Sequence, residues 1–244
     1  MQSVNTSAEA SVSPPPTVAD FYRVNRGGGL FSEAFSQRLG AVLALIAQRT
    51  GLPPTALTIA NLLLGLTVSV TVVALADRVA AGSVPAWVVG LVALVGWQVA
   101  YGLDCADGQL ARVTGQGSPA GARVDVLCDV AAQIALVTAL SATSLAQRPS
   151  TPIWLIAAFA GTWMVNLVTS VMQAGPNAAS MITSTSLPVR LVKLIRDYGA
   201  VIFVAGLVLT LAPAWTTWLI AAFTLVNGGF LLASIGFSAR ASLR

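Results

Sequence analysis

Six apolar stretches recur along the sequence, near residues 56–76, 86–104, 122–145, 153–173, 198–213 and 215–237. A helix needs about 20 apolar residues to cross a bilayer, and all six reach or approach that length. The turn around Pro213 separates the fifth from the sixth; the fifth is short and starts either at 198 or earlier, near Val192. Ahead of them, Leu30, Phe31, Phe35, Leu39, Val42, Leu43 and Ile46 recur at helical spacing, with Glu33, Gln37, Arg38, Gln48 and Arg49 between them. This pattern predicts an amphipathic helix from Leu30 to Arg49, lying either in the membrane interface or packed on the bundle. Gly27-Gly28-Gly29 breaks the chain before it, and Pro53-Pro54 after it. Residues 1–19 are rich in Ser, Pro and Ala, show no cleavable signal peptide, and read as a disordered tail. The sequence thus divides into a disordered or extended tail (1–29), an all-α transmembrane domain (30–237) and a short cytoplasmic tail (238–244).

Composition agrees. Of the 244 residues, 56% are hydrophobic and only 9% charged, and the mean hydropathy is +0.80. Soluble domains run near 25% charged, so a chain this sparsely charged cannot cover a water-facing surface. The expected form is a polytopic protein of the cell membrane. Lysine and arginine set its orientation. With the N-terminus inside, one side receives Arg23, Arg26, Arg38, Arg49, Arg112, Arg123, Arg190, Lys193, Arg196, Arg240 and Arg244; the other receives only Arg78 and Arg148. Both termini, and the loop between the second and third spans, are therefore expected in the cytoplasm. The net charge of +4 then suggests either loops facing anionic lipid, not nucleic acid, or an excess with no specific partner. There is no histidine, so any acid–base chemistry must rest on carboxylates, Lys, Arg or hydroxyls. Cys105 and Cys128 imply no disulfide framework and read as small buried residues.

The chemistry is concentrated in one place. Four of the nine acidic residues, Asp104, Asp107, Asp125 and Asp129, fall within 26 positions where the second span ends and the third begins. An aspartate at a helix centre costs about 2.5–3.5 kcal/mol on insertion scales. Divalent cations would compensate four of them, since carboxylate oxygens are hard ligands suited to Mg²⁺, Mn²⁺ or Ca²⁺. Asp104 and Asp107 are three apart and Asp125 and Asp129 four apart, so each pair shares a helix face. Two facing helices would form a cage for one or two metals. Pairing with Arg112 and Arg123 alone would leave four carboxylates under-neutralised. Gly108 and Ala111 clear room on one helix, Gly121 and Ala122 on the other, and Arg112 offers a fixed charge for phosphate.

In order, the residues read Asp104-x2-Asp107-Gly108-x2-Ala111-Arg112-x8-Gly121-x3-Asp125-x3-Asp129. This resembles the signature of the CDP-alcohol phosphotransferases (CDP-alcohol phosphatidyltransferases), with all eight positions filled. The resemblance implies a six-helix transmembrane bundle preceded by an interfacial helix, commonly a homodimer, with a cavity facing the cytoplasm. It implies that Asp104, Asp107 and Asp125 hold metal, that Asp129 completes a two-metal site for Mg²⁺ or Mn²⁺, and that Asp129 is the catalytic base. It implies that Asp107, Gly108, Ala111, Arg112 and Gly121 line the CDP site. Many members carry Pro-Asn and then Thr where the first span begins. Here Pro54-Thr55-Ala56-Leu57-Thr58 keeps the Pro and the Thr but has Thr55 for the Asn. Thr58 is then either a CDP-site residue or simply a helix-start residue. The expected reaction is metal-dependent transfer of a phosphatidyl or other substituted phosphoryl group, with CMP as the other product. The donor is CDP-linked, CDP-diacylglycerol being favoured over a CDP-activated polar alcohol. A divalent-cation transporter is the alternative, but it would carry acidic residues through to the far side.

The acceptor alcohol is less legible. Arg190, Lys193 and Arg196 recur every three residues along one side of a helix before the fifth span. They are either a site for the phosphate of a phosphorylated polyol or anchors to anionic lipid. By resemblance, a phosphorylated inositol or glycerol acceptor would call for a basic residue near the cytoplasmic end of the fourth span. That region, Asn166 to Asn177, carries no charge.

Overall fold

The computed structural model describes residues 15–25, 28–173 and 197–242, and these form helices joined by short turns. The first helix, α1 (Val18–Arg23), lies within the segment expected to be an extended or disordered tail. Two local causes account for it. Asp20 accepts hydrogen bonds from the Thr17 amide at 2.8 Å and the Thr17 hydroxyl at 2.6 Å, and Phe21 is fully buried beneath the helix. The Thr17 bonds, helped by Arg23, hold the Asp20 carboxyl below its ordinary range.

The amphipathic segment is helical from Leu30, but not uniformly α. A π turn spans Ser32–Ser36 and leads into α2 (Gln37–Arg49). The wider turn brings Ser32 and Ser36 to the buried side together. On α2 the inner face is Gly40, Ala41, Ala44 and Ala47, all buried, while Val42 and Ile46 on the outer face are exposed. Small residues let α2 lie close to the fourth helix. A Cβ on Gly40 would come within 2.7 Å of that of Cys105.

Six longer helices follow: α3 (Pro54–Ala80), α4 (Ala86–Thr114), α5 (Pro119–Gln147), α6 (Ile153–Gln173), α7 (Tyr198–Leu211) and α8 (Thr216–Ser242). Proline opens α3 and α5, where its missing N–H costs nothing. Gly115, in the left-handed region at φ 70°, ends α4. The Ser118 hydroxyl accepts the Gly121 amide at 3.0 Å and starts α5. A short turn thus joins α4 to α5, and both helices pack on α3.

Four segments, Pro54–Ala80, Ala86–Thr114, Pro119–Gln147 and Pro213–Ala233, are long and apolar enough to cross a membrane. Ile153–Val165 and Tyr198–Leu211 are shorter apolar helices. Large side chains such as Leu63, Val70, Leu127, Leu225 and Leu232 point outward from the bundle and are exposed. An apolar exterior fits a multi-pass membrane protein. Inside, Val68, Trp97, Leu136, Leu140, Phe159 and Ile202 belong to one core. Trp163 stacks on Phe223 with ring centroids 4.6 Å apart.

Candidate active site

The C-terminal part of α4, from Asp104, and the N-terminal part of α5, to Asp129, lie on either side of the Gly115–Ser118 turn, and the four aspartates project from these two stretches. One carboxylate oxygen from each of Asp104, Asp107 and Asp125 lies within 4.8 Å of the other two. Asp129 stands beside them, its carboxyl next to that of Asp104. The spacing rule therefore works: three and four residue intervals on two helices that both pack on α3 bring the carboxyls together.

Helix α3 closes the site. The Thr58 hydroxyl donates to Asp107 Oδ2 at 2.5 Å. One turn on, Asn61 Nδ2 lies 3.4 Å from Asp104 Oδ1. Thr58 and Asn61 are both buried, so each carboxylate of the α4 pair meets a neutral donor from α3. The other pair is handled differently. Arg112 supplies positive charge near Asp125, and its guanidinium folds over Gly108, where a Cβ would sit 3.0 Å from Nη2. Oδ1 of Asp125 is buried and has no hydrogen-bond partner.

These features fit a divalent metal. Three carboxylates converge, and one buried oxygen is left without a donor, which carries a desolvation cost of roughly 1–3 kcal/mol unless something else binds it. An all-oxygen donor set suits Mg²⁺ or Mn²⁺.

Two cavities flank the carboxylates. The outer one has a volume of about 570 Å³ and is open on one side. Thr58, Asp107, Gly108, Ala111, Arg112, Gly121 and Asp125 line it, so every position singled out from the sequence as a nucleotide contact meets in one place. Its size lies in the range of small-molecule sites. The inner one is about 20 Å³ and lies deeper in the bundle, lined by Asn61, Tyr101, Asp104, Asp129, Gln133 and Tyr198 among others.

Asn61, Tyr101, Gln133 and Tyr198 were not singled out from the sequence. Two of them continue its own stripes: Tyr101 precedes Asp104 and Asp107 at three-residue steps, and Gln133 follows Asp125 and Asp129 at four-residue steps. Arg190, Lys193 and Arg196 lie outside the described residues.

The inner cavity is braced by a hydrogen-bonded chain. Asp197 accepts the amides of Phe31 and Ser32 at 2.9 Å each, the Gly199 amide at 3.1 Å, and the Ser32 hydroxyl. Because Ser32 gives its only hydroxyl proton to Asp197, its oxygen accepts from the Tyr101 hydroxyl, 3.1 Å away. The α7 N-terminus, the π turn and α4 are thereby locked together one turn from Asp104.

A carboxylate cluster between two long apolar helices, beside an open cavity of about 570 Å³, defines a class: a multi-pass membrane protein with an acidic site that could hold metal. The family model described as CDP-alcohol phosphatidyltransferase matches residues 52–227. The chain belongs to the CDP-alcohol phosphatidyltransferase family. A search of the curated proteins found no match.

Proposed function

We propose that the protein transfers a phosphatidyl or other substituted phosphoryl group from a CDP-linked donor, CDP-diacylglycerol in the favoured case, to an alcohol, releasing CMP. The observation that carries this reading is the convergence of Asp104, Asp107 and Asp125 within 4.8 Å at the wall of the cavity that Thr58, Gly108, Ala111, Arg112 and Gly121 line.

Asp104, Asp107 and Asp125 would hold the metal, with Asp129 completing a pair of Mg²⁺ or Mn²⁺ sites. Bound metal supplies charge neutralisation of the diphosphate and of departing CMP. Thr58 fixes the orientation of the Asp107 carboxylate. Gly108, Ala111 and Gly121 leave space for the nucleotide between α4 and α5, and Arg112 meets phosphate at its edge. Asp129, on the inner side, takes the proton of the acceptor hydroxyl. The acceptor oxygen bonds to the phosphorus bearing the lipid, the bond from that phosphorus to the bridging oxygen breaks, and CMP leaves with the electron pair. Positioning and charge stabilisation carry most of such a reaction.

In this reading 30–237 is the transmembrane domain, with all six of α3 to α8 as spans. Helix α2 lies in the interface with Val42 and Ile46 toward lipid. The site faces the cytoplasm, the protein is a homodimer in the cell membrane, and Arg190, Lys193 and Arg196 serve any phosphate on the acceptor.

The test is CMP release by purified protein in detergent, with CDP-diacylglycerol, Mg²⁺ or Mn²⁺, and a panel of acceptors: inositol phosphate, glycerol phosphate, serine and free polyols. Acceptor-dependent release that is lost in Asp129→Asn supports the reading. No release with any acceptor or with a CDP-activated polar donor overturns it.

A further inference from the structure

We infer that Gln133, held by Trp163, positions the acceptor hydroxyl, and that the reacting end of the acceptor is an uncharged, unbranched hydroxymethyl group. The inference rests on the transferase reading and names the substrate class for that same site.

The two cavities divide the carboxylates between them. Asp107 and Asp125 line the outer cavity; Asp104 and Asp129 line the inner one. If the nucleotide occupies the outer side, the inner side is left for the nucleophile. Volume excludes a phosphate from the inner side. A space of about 20 Å³ takes one water-sized group. A chain-end hydroxyl meets that limit, whereas a ring carbon would bring two further substituents against Ala100, Ala132 and Leu136.

Gln133 supplies the matching hydrogen bond. The Trp163 indole N–H donates to Gln133 Oε1 at 2.9 Å. An indole N–H is only a donor, so this bond fixes which end of the amide is which. Trp163 is itself 2% exposed and is clamped by Phe159 and Phe223, with centroids at 5.6 and 4.6 Å. The amide therefore keeps its NH₂ group on the side away from the indole, and Gln133 lines the cavity. Gln133 follows Asp129 by one helical turn. An oxygen that accepts from Gln133 and donates to Asp129 needs one lone pair and one proton, which is the chemistry of an alcohol. Tyr101 gives its proton to Ser32, which leaves Tyr198 as the other hydroxyl in the lining.

The experiment is steady-state CMP release by full-length protein in detergent. The substrates are CDP-diacylglycerol with glycerol, glycerol 3-phosphate, inositol or inositol 1-phosphate. Gln133→Met keeps the volume and removes the amide; Trp163→Phe removes only the indole N–H and frees the amide to turn. The expected result is a KM for the acceptor raised roughly fivefold to tenfold in Gln133→Met, the value of one neutral hydrogen bond, with the donor KM unchanged. Trp163→Phe should show a smaller rise, and the double variant should be no worse than Gln133→Met. Glycerol and its phosphate should turn over faster than the ring alcohols. An unchanged acceptor KM in Gln133→Met, equal rises for donor and acceptor, or preference for a ring alcohol would overturn the inference while leaving the transferase reading intact. Absence of CMP release by the unaltered protein would remove both.

Discussion

The hydroxyl of Thr58, at the start of α3, donates to Oδ2 of Asp107 on α4 at 2.5 Å. The Pro54 carbonyl, 3.3 Å from the same hydroxyl, is the competing acceptor for its single proton, and Asp107 is the nearer. Hydrogen bonds to a charged group contribute roughly 1.5–3 kcal/mol. Thr58→Val keeps the shape and loses the donor. The Mg²⁺ concentration for half-maximal CMP release should rise about tenfold, and Thr58→Ser should restore it. An unchanged Mg²⁺ titration would leave Thr58 as a helix-start residue only.

Asp125 offers a sharper test of the metal. Its buried Oδ1 has no hydrogen-bond partner, so Asp125→Asn should leave folding intact and weaken metal binding. Mn²⁺ binding, followed by equilibrium dialysis without any substrate, should fall at least about tenfold, since one anionic oxygen of a hard-ligand set is lost. If the Asp125→Asn protein bound Mn²⁺ as well as the parent, the cluster would not be the metal site.

How much of this was legible in the sequence follows from which rules are local. Helix spacing put Asp104 with Asp107, and Asp125 with Asp129, on shared faces; the two faces converge because α4 and α5, joined by a short turn, both pack on α3. Apolar length located α3, α4 and α5. The π turn at Ser32–Ser36 was not legible, since its cause is Asp197, some 165 positions away. Helix α1 was missed for a similar reason. Its anchor, Phe21, is buried only because α2 and α4 come together there. Asn61 carried no periodic signal and Gln133 did, and an amide in a membrane helix reads equally as a helix–helix contact. Only the partners, Asp104 for one and Trp163 for the other, distinguish the two.

Helices α4 and α7 depend on a missing side chain. A Cβ on Gly206 would sit 2.6 Å from Leu94 Cα, which is backbone and cannot turn aside. Close approach through small residues is how membrane helices pack. Gly206→Val should cost about 2–3 kcal/mol, as overpacking does, and lower the midpoint of thermal unfolding in detergent. Gly161→Ala, with nothing within 4 Å of the added carbon, should unfold at the parent temperature. Equal midpoints for all three proteins would mean the α4–α7 contact is looser than the structure has it.

Asp197 should prove the strongest single tie outside the carboxylate cluster. It is 4% exposed and accepts from three amides and the Ser32 hydroxyl. Asp197→Asn replaces an acceptor oxygen by an NH₂ group aimed at donors, so at least one buried N–H loses its partner. That loss, with the weakened N-cap of α7, should cost about 2–3 kcal/mol. Tyr101→Phe breaks only the outer link, from Tyr101 to Ser32, and should cost about 1 kcal/mol. Hydrogen exchange separates the two cases. In Asp197→Asn the amides of Phe31, Ser32 and Gly199 should exchange markedly faster, while in Tyr101→Phe they should stay protected. Protection of all three in Asp197→Asn would show that the π turn is held by packing against α7 and not by the carboxylate. The Ser32 hydroxyl would then be free to reorient, and the fixed direction of the Tyr101 proton would be lost with it.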